Sequence, residues 1–218
     1  VNKTIWITGD SFGLPNLFSD NVSLETILAS KGYNVMNFSI GGTGNSIAFE
    51  NVNKHFEQKK TSPDILIWFH TELAREWGEN QTQWTYQKRL NDTAAQVYTR
   101  AHEIVKKLNT KLIVIEGQSV VAEPYFSDLF QPDAIIKDWR SEILGEKMPE
   151  SHIISRPYLF LDNSCINTDE EKNKLINDIT FIWDKMVASE DYPDGCHPSK
   201  KQYLLLGKRI EACIKKLI

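Results

Sequence analysis

Short runs of β-branched and aromatic residues alternate along this chain with longer segments whose apolar positions recur every three or four residues. That alternation limits the possible folds more than any other feature, because parallel strands need crossover helices and a sheet so built is covered on both faces. Strands are predicted at Thr4–Thr8, Asn34–Phe38, Asp64–Phe69 and Lys111–Glu116, with a weaker fifth at Tyr158–Leu161. Helices are predicted at Leu24–Ser30, Ser46–Lys59, Gln83–Leu108, Ile135–Leu144, Asp169–Ala188 and Lys200–Leu217. The expected class is α/β with a five-stranded parallel sheet, and the 218 residues suit one such domain over residues 1–218.

In open parallel sheets, ligands bind beyond the carboxyl ends of the strands. The loops at residues 9–13, 39–46 and 70–78 are therefore where chemistry is expected. Residues 117–134 and 145–157, punctuated by Pro124, Pro132, Pro149 and Pro157, read as irregular segments able to form a rim or lid. With 25 basic against 29 acidic residues the net charge is −4, which gives no electrostatic reason to expect nucleic acid or an anionic membrane. No run approaches the ~18 apolar residues of a membrane span, and the start, Val1-Asn2-Lys3-Thr4, shows no charged-then-apolar leader. The chain reads as soluble and acting on a small neutral or modestly charged molecule, with no compartment specified. Cys165, Cys196 and Cys213 form neither a disulfide framework nor a zinc spacing, so no cofactor or metal is expected.

Gly9-Asp10-Ser11 closes the first apolar run, and Asp194-Gly195-Cys196-His197-Pro198 precedes the last helix. A serine nucleophile needs a base to take its proton and a third group to fix that base's tautomer. Asp194 and His197 stand three residues apart in a loop bounded by Pro and Gly. At that spacing the carboxylate can accept from Nδ1–H while Nε2 faces Ser11. The plainer alternatives are an Asp-Ser turn capping a helix and a surface histidine after a turn-forming Asp. Gly9 to Gly13 also fits the Gly-x-Ser-x-Gly elbow, but that elbow follows several strands and this one follows the first. The loop Gly41 to Ser46 has a phosphate-cradling reading, although it matches neither Gly-x-Gly-x-x-Gly nor a P-loop.

An early Gly-Asp-Ser with a late Asp-x-x-His resembles the SGNH (GDSL-like) hydrolase family, in order and spacing over most of the chain, through three short blocks. The resemblance implies a flavodoxin-like three-layer α/β/α sandwich that hydrolyses lipid, acetyl-sugar or other acyl esters without a metal. It implies Ser11 as nucleophile and, through its backbone N–H, oxyanion donor, with His197 as base and Asp194 orienting it. The stretch Asn37-Phe38-Ser39-Ile40-Gly41-Gly42 resembles the family's glycine block and makes the Gly42 N–H the second donor. The third block departs. Where the family has Gly-x-Asn-Asp, whose Asn amide is the third donor, this chain has His70-Thr71-Glu72-Leu73, with His70 at the Gly and Glu72 at the Asn.

An ionised carboxylate only accepts hydrogen bonds and would repel a developing oxyanion. Three readings of Glu72 stand. It is held protonated as a neutral donor; or it pairs with Arg75 and leaves the oxyanion to the two amides, with His70 assisting; or the site has lost its chemistry. On extended backbone His70 and Glu72 share a face, where plain polar contacts at a strand end are equally expected. Two ligands without a third make a poor metal site.

Trp77, Trp84 and Tyr86 lie among Gly78, Asn80, Gln81, Thr82 and Gln83, a mixture that suits a sugar ring, although Trp84 also suits a helix anchor. Arg75 suits a carboxylate or phosphate on the substrate, or an ion pair with Glu72 or Glu76. No large apolar stripe accompanies the site loops, which favours a short acyl group. The expected activity is removal of an acetyl group from a carbohydrate through an acyl-enzyme on Ser11. The alternative is a catalytically weak module that binds a glycan or other small ligand.

Overall fold

The computed structural model describes residues 3–15, 19–77, 86–117, 119–122, 126, 129–150 and 168–218. Among these, five strands form one parallel sheet: β1 (Thr4–Thr8), β2 (Asn34–Asn37), β3 (Ile65–His70), β4 (Lys111–Glu116) and β5 (Ala134–Ile136), in the order β2-β1-β3-β4-β5. The helices are α1 (Leu24–Ser30), α2 (Asn45–Lys59), α3 (Tyr86–Leu108), α4 (Trp139–Leu144), α5 (Asp169–Val187) and α6 (Lys200–Leu217).

The two-residue period of the strands sorts the core into two layers. Ile5, Ile7, Ile65, Ile67, Phe69, Ile113 and Ile115 point to the face covered by α1, α4, α5 and α6, through residues such as Leu28, Trp139, Ile182 and Leu206. Trp6, Leu66, Trp68, Leu112 and Val114 point to the opposite face, covered by α2 and α3 through Phe49, Val52, Ala94 and Tyr98. All six residues of β3, the central strand, are buried. That accounts for its unbroken apolar sequence where a half-exposed strand would alternate. The result is the α/β/α sandwich expected from the alternation of elements.

One expectation is corrected. Ala134, assigned to the irregular segment 117–134, and residues 135 and 136, assigned to a helix over Ile135–Leu144, form β5 and pair with Ile113–Ile115 of β4. The Asp133 carboxylate accepts from the Leu112 N–H at 2.8 Å and from Lys111 Nζ at 2.9 Å, and the Asp133 N–H donates to the Leu112 carbonyl, so the strand is pinned at its first residue. The helix begins only at Trp139, after Asp138 at φ 45°, whose side chain accepts from the Ser141 N–H. The predicted strand Tyr158–Leu161, the start of the helix predicted from Gln83, and residues 151–157 of the proposed rim lie outside the described residues. No helix among the described residues is long and apolar enough to cross a membrane.

The strand order reverses between β1 and β3, leaving a crevice outside their carboxyl ends where ligands of such sheets bind. Gly9 makes the close approach there possible. It has φ +145°, and a Cβ on it would stand 2.7 Å from both the Phe69 carbonyl oxygen and the Phe69 Cβ, so no other residue fits.

Candidate active site

Ser11 opens a 3-10 turn, Ser11–Gly13, directly after β1. The turn is capped by its neighbour Asp10, whose carboxylate accepts from the Phe12 N–H at 3.0 Å. From the other end of the chain, the buried Tyr203 of α6 donates its hydroxyl to the Phe12 carbonyl at 2.9 Å and ties this turn to the C-terminal helix.

His197 is carried by the loop between α5 and α6, where Gly195 turns at φ +73° and donates to the Tyr192 carbonyl. Asp194 organises this loop. Its Oδ1 accepts from the N–H groups of Cys196 at 2.9 Å and His197 at 2.6 Å, and its Oδ2 lies 2.7 Å from His197 Nδ1. The other ring nitrogen, Nε2, lies 3.0 Å from Ser11 Oγ across 186 residues of sequence. A carboxylate at Nδ1 fixes the proton there and leaves Nε2 free to accept from the hydroxyl. The structure thus brings Ser11, His197 and Asp194 into one hydrogen-bonded chain. The imidazole is 24 % and the carboxylate 16 % exposed, so the relay opens to solvent.

Partial burial pushes the Asp194 carboxyl up, but the His197 N–H, the His197 ring and the Cys196 N–H outweigh it and hold it below its ordinary value of 3.8. The carboxylate is therefore ionised across the neutral range. Cys196 beside it is the opposite case: burial, then the charges of Asp194 and Asp10, push its thiol up to about 11. It stays protonated in the neutral range.

The loop after β2 lies against Ser11. Its Ile40 N–H donates to the Gly9 carbonyl, and the Asn37 amide donates to the Gly13 carbonyl at 2.8 Å while its oxygen accepts from the Ser39 N–H. A Cβ on Gly41 would stand 3.8 Å from Ser11 Cβ, and Gly42 follows at φ +75°. The phosphate-cradle reading of this loop fails on one contact. The Glu76 carboxylate accepts from the Ser46 N–H at 3.0 Å and lies over Gly44, so the N-terminus of α2 already holds an anion.

After β3 the chain turns into a second 3-10 segment, Leu73–Glu76, preceded by Glu72. Glu72 is buried, and its Oε2 accepts from Arg75 Nε at 3.0 Å. Arg75 Nη1 stands 3.5 Å from Asp10 Oδ2 and donates to the Thr43 carbonyl at 3.3 Å. Of the three readings of Glu72, this geometry matches the ion pair. The reading of Arg75 as a free clamp for a substrate anion is corrected, because its side chain is buried among these partners. Asp10, beyond capping its turn, also accepts from Thr71 Oγ1 at 2.7 Å. Burial raises its carboxyl above the ordinary range, Arg75, Thr71 and Phe12 draw it back, and Glu72 raises it further.

His70 does not join this group. The residue ends β3 on the α3 side of the sheet, with Nε2 3.2 Å from the Tyr98 hydroxyl and Nδ1 3.2 Å from Ser119 Oγ, and its ring packs on Trp68. The shared face expected with Glu72 is lost because the strand stops at His70 and the backbone turns. Trp77 is likewise a core residue, with Nε1 donating to Thr93 Oγ1 and its ring beneath Arg89, so it offers no platform for a sugar. Trp84 and its neighbours at 78–85 lie outside the described residues. Among the described residues no group of three or more His, Cys, Asp or Glu side chains is arranged to hold a metal.

No protein-family description and no curated protein sequence matches this chain. Solved structures similar to it include a lipase/acylhydrolase from Enterococcus faecalis, 18 % identical with a TM-score of 0.44, covering 98 % of this chain and 96 % of that one. An SGNH-hydrolase family esterase is 13 % identical with a TM-score of 0.45, over 87 % and 98 % of the two chains. An acetylxylan esterase from Geobacillus stearothermophilus is 10 % identical with a TM-score of 0.44, over 98 % and 95 %.

Proposed function

We propose that this protein is a serine ester hydrolase of the SGNH type, with Ser11 as nucleophile, His197 as general base and acid, and Asp194 as the group that orients His197. One observation carries the reading: the unbroken relay from Ser11 Oγ to His197 Nε2 and from His197 Nδ1 to Asp194, at 3.0 and 2.7 Å. Such a relay supplies a nucleophile and moves its proton without a Lewis acid.

In the proposed reaction, Ser11 Oγ attacks the ester carbonyl as His197 Nε2 takes its proton. The tetrahedral oxyanion is received by the backbone N–H of Ser11 and of the glycine loop at Gly42. Its collapse breaks the ester C–O bond, and His197 returns the proton to the departing alcohol. Water then attacks the acyl-serine, with His197 again taking and returning a proton, and releases the acid and free Ser11.

The preferred substrate carries a short acyl group, in particular an O-acetyl group on a carbohydrate. Short acyl chains are supported by the exposed glycines Gly41 and Gly42, the first of which lies beside Ser11. The rival reading, a weakly active module that binds a glycan or other small ligand, rests on Glu72 standing where an amide donor is expected.

A fluorophosphonate probe separates the two. The expected result is one covalent adduct on Ser11, lost in S11A and in H197A, together with turnover of acetyl esters in a panel running from acetylated sugars to long-chain esters. A folded wild type that takes no label and turns over no ester overturns the hydrolase reading in favour of the binding module.

A further inference from the structure

We infer that Arg75 is a positioning residue, whose guanidinium joins the three loops carrying Ser11, Gly42 and Glu72 into one ion-paired unit and so lets a carboxylate stand at position 72. Its catalytic consequence rests on the ester-hydrolase reading above.

The arrangement is specific. The Arg75 side chain is 8 % exposed, and each of its two carboxylate partners, Asp10 and Glu72, is 1 % exposed. Nε serves Glu72 at 3.0 Å from within the loop after β3. Nη1 serves the Thr43 carbonyl in the loop after β2 at 3.3 Å and faces Asp10, the residue before the nucleophile, at 3.5 Å. Two carboxylates buried side by side cannot both stay ionised without a counter-charge. One guanidinium, with donors fixed in a planar fork, answers both at once and has a donor left for the backbone. A lysine ammonium would supply the charge without the fork.

The same contacts remove the objection raised by Glu72. An Oε atom engaged by Arg75 directs its negative charge into the ion pair, away from an oxyanion forming at the Ser11 and Gly42 amides. A third oxyanion donor is then replaced by a rigid wall in which the guanidinium offsets one of the two carboxylate charges. Thr71 completes that wall, donating its hydroxyl to Asp10 and its backbone N–H to Asn45 Oδ1.

The test is a double-mutant cycle on p-nitrophenyl acetate turnover with wild type, R75M, E72Q, R75M/E72Q, R75K and S11A. R75M is expected to lose about 100-fold or more in kcat with KM changed by less than about threefold. R75M/E72Q, which buries one carboxylate without its guanidinium where R75M buries two, is expected to regain about tenfold or more over R75M. R75K is expected about tenfold below wild type. An R75M enzyme as active as wild type, or a double variant no faster than R75M, overturns the inference. If R75M does not fold by circular dichroism, R75K decides: a loss of about tenfold in kcat at unchanged fold supports the role, and wild-type kcat overturns it. Wild-type turnover that persists in S11A, or no turnover at all, overturns the hydrolase reading and this inference together. Turnover that needs Ser11 and ignores Arg75 overturns this inference alone.

Discussion

Asp194 uses both carboxylate oxygens within its own turn, one on two backbone N–H groups and one on the imidazole, so it shapes the loop and fixes the tautomer at the same time. D194N keeps a carbonyl oxygen for the turn but presents the wrong partner to Nδ1–H. On the proposed mechanism kcat should fall by about 10³- to 10⁴-fold, as expected for loss of the orienting carboxylate, which initial-rate kinetics on acetyl esters will read. The same residue gives a pH prediction. Its carboxyl is held below 3.8 in the fold, so its contribution to stability is complete above that value and is lost as pH falls through the lowered one. The difference in Tm between wild type and D194N should accordingly be largest at neutral pH and close as the solution is taken below about 3.8; a constant difference would contradict it. At this scale the sequence was legible where the groups that meet sit in short contiguous blocks, as with Ser11 and the Asp194–His197 pair. It was opaque at Asp10 and His70. The partners of Asp10 come from a loop after another strand, and the surroundings of His70 depend on where β3 stops.

Loops and helix ends owe their positions to side chains distant in sequence. The N-cap of α2, Gly44, has no side chain to offer, and the Glu76 carboxylate takes its place from 30 residues away. E76A should therefore destabilise the fold by about 1 kcal/mol, the usual worth of a cap, and lower Tm by about 2–4 °C, as read by thermal unfolding. Gly13 makes a second such contact. A Cβ there would lie 2.1 Å from Ser39 Oγ and 2.8 Å from Ser39 Cβ, so G13A should cost about 1–3 kcal/mol by overpacking and disturb both loops at once. Adding S39G removes the atoms in the way, and the double variant should recover most of that loss in a denaturant titration. The one misassigned element, β5, illustrates the limit of periodicity. Three apolar residues followed by Trp139 and Ile143 satisfy a helical spacing, and only the pairing with β4 and the anchoring of Asp133 show that they extend the sheet.

Across the whole molecule, the sheet order was not written in any local pattern, yet it decides which loops meet. β1 and β3 are neighbours with their carboxyl ends at the switch point, and the turn after β1 is tied to α6 by the Tyr203 hydroxyl. Y203F leaves the Phe12 carbonyl without that donor in a buried setting. It should cost about 1–3 kcal/mol and, on the proposed mechanism, lower kcat by a few-fold with little effect on KM, because the group displaced lies next to Ser11 and not in the substrate. Equilibrium unfolding and steady-state kinetics on the same preparation will show both. The strands and helices predicted from alternation fall close to those observed, because buried strands and amphipathic helices carry their own signatures. The Arg75 unit carries none, being a meeting of three loops.

The separation of Ser11 from His197 has a consequence for the chain as it is made. Synthesis proceeds from the amino end, so a ribosome releases the imidazole about 186 residues after the serine. On the proposed mechanism, throughout that interval and in any fragment lacking the Asp194–His197 loop, the serine is an ordinary alcohol with no base to activate it. On the proposed mechanism, activity appears only after the Asp194–His197 loop has been made and has docked on the turn after β1.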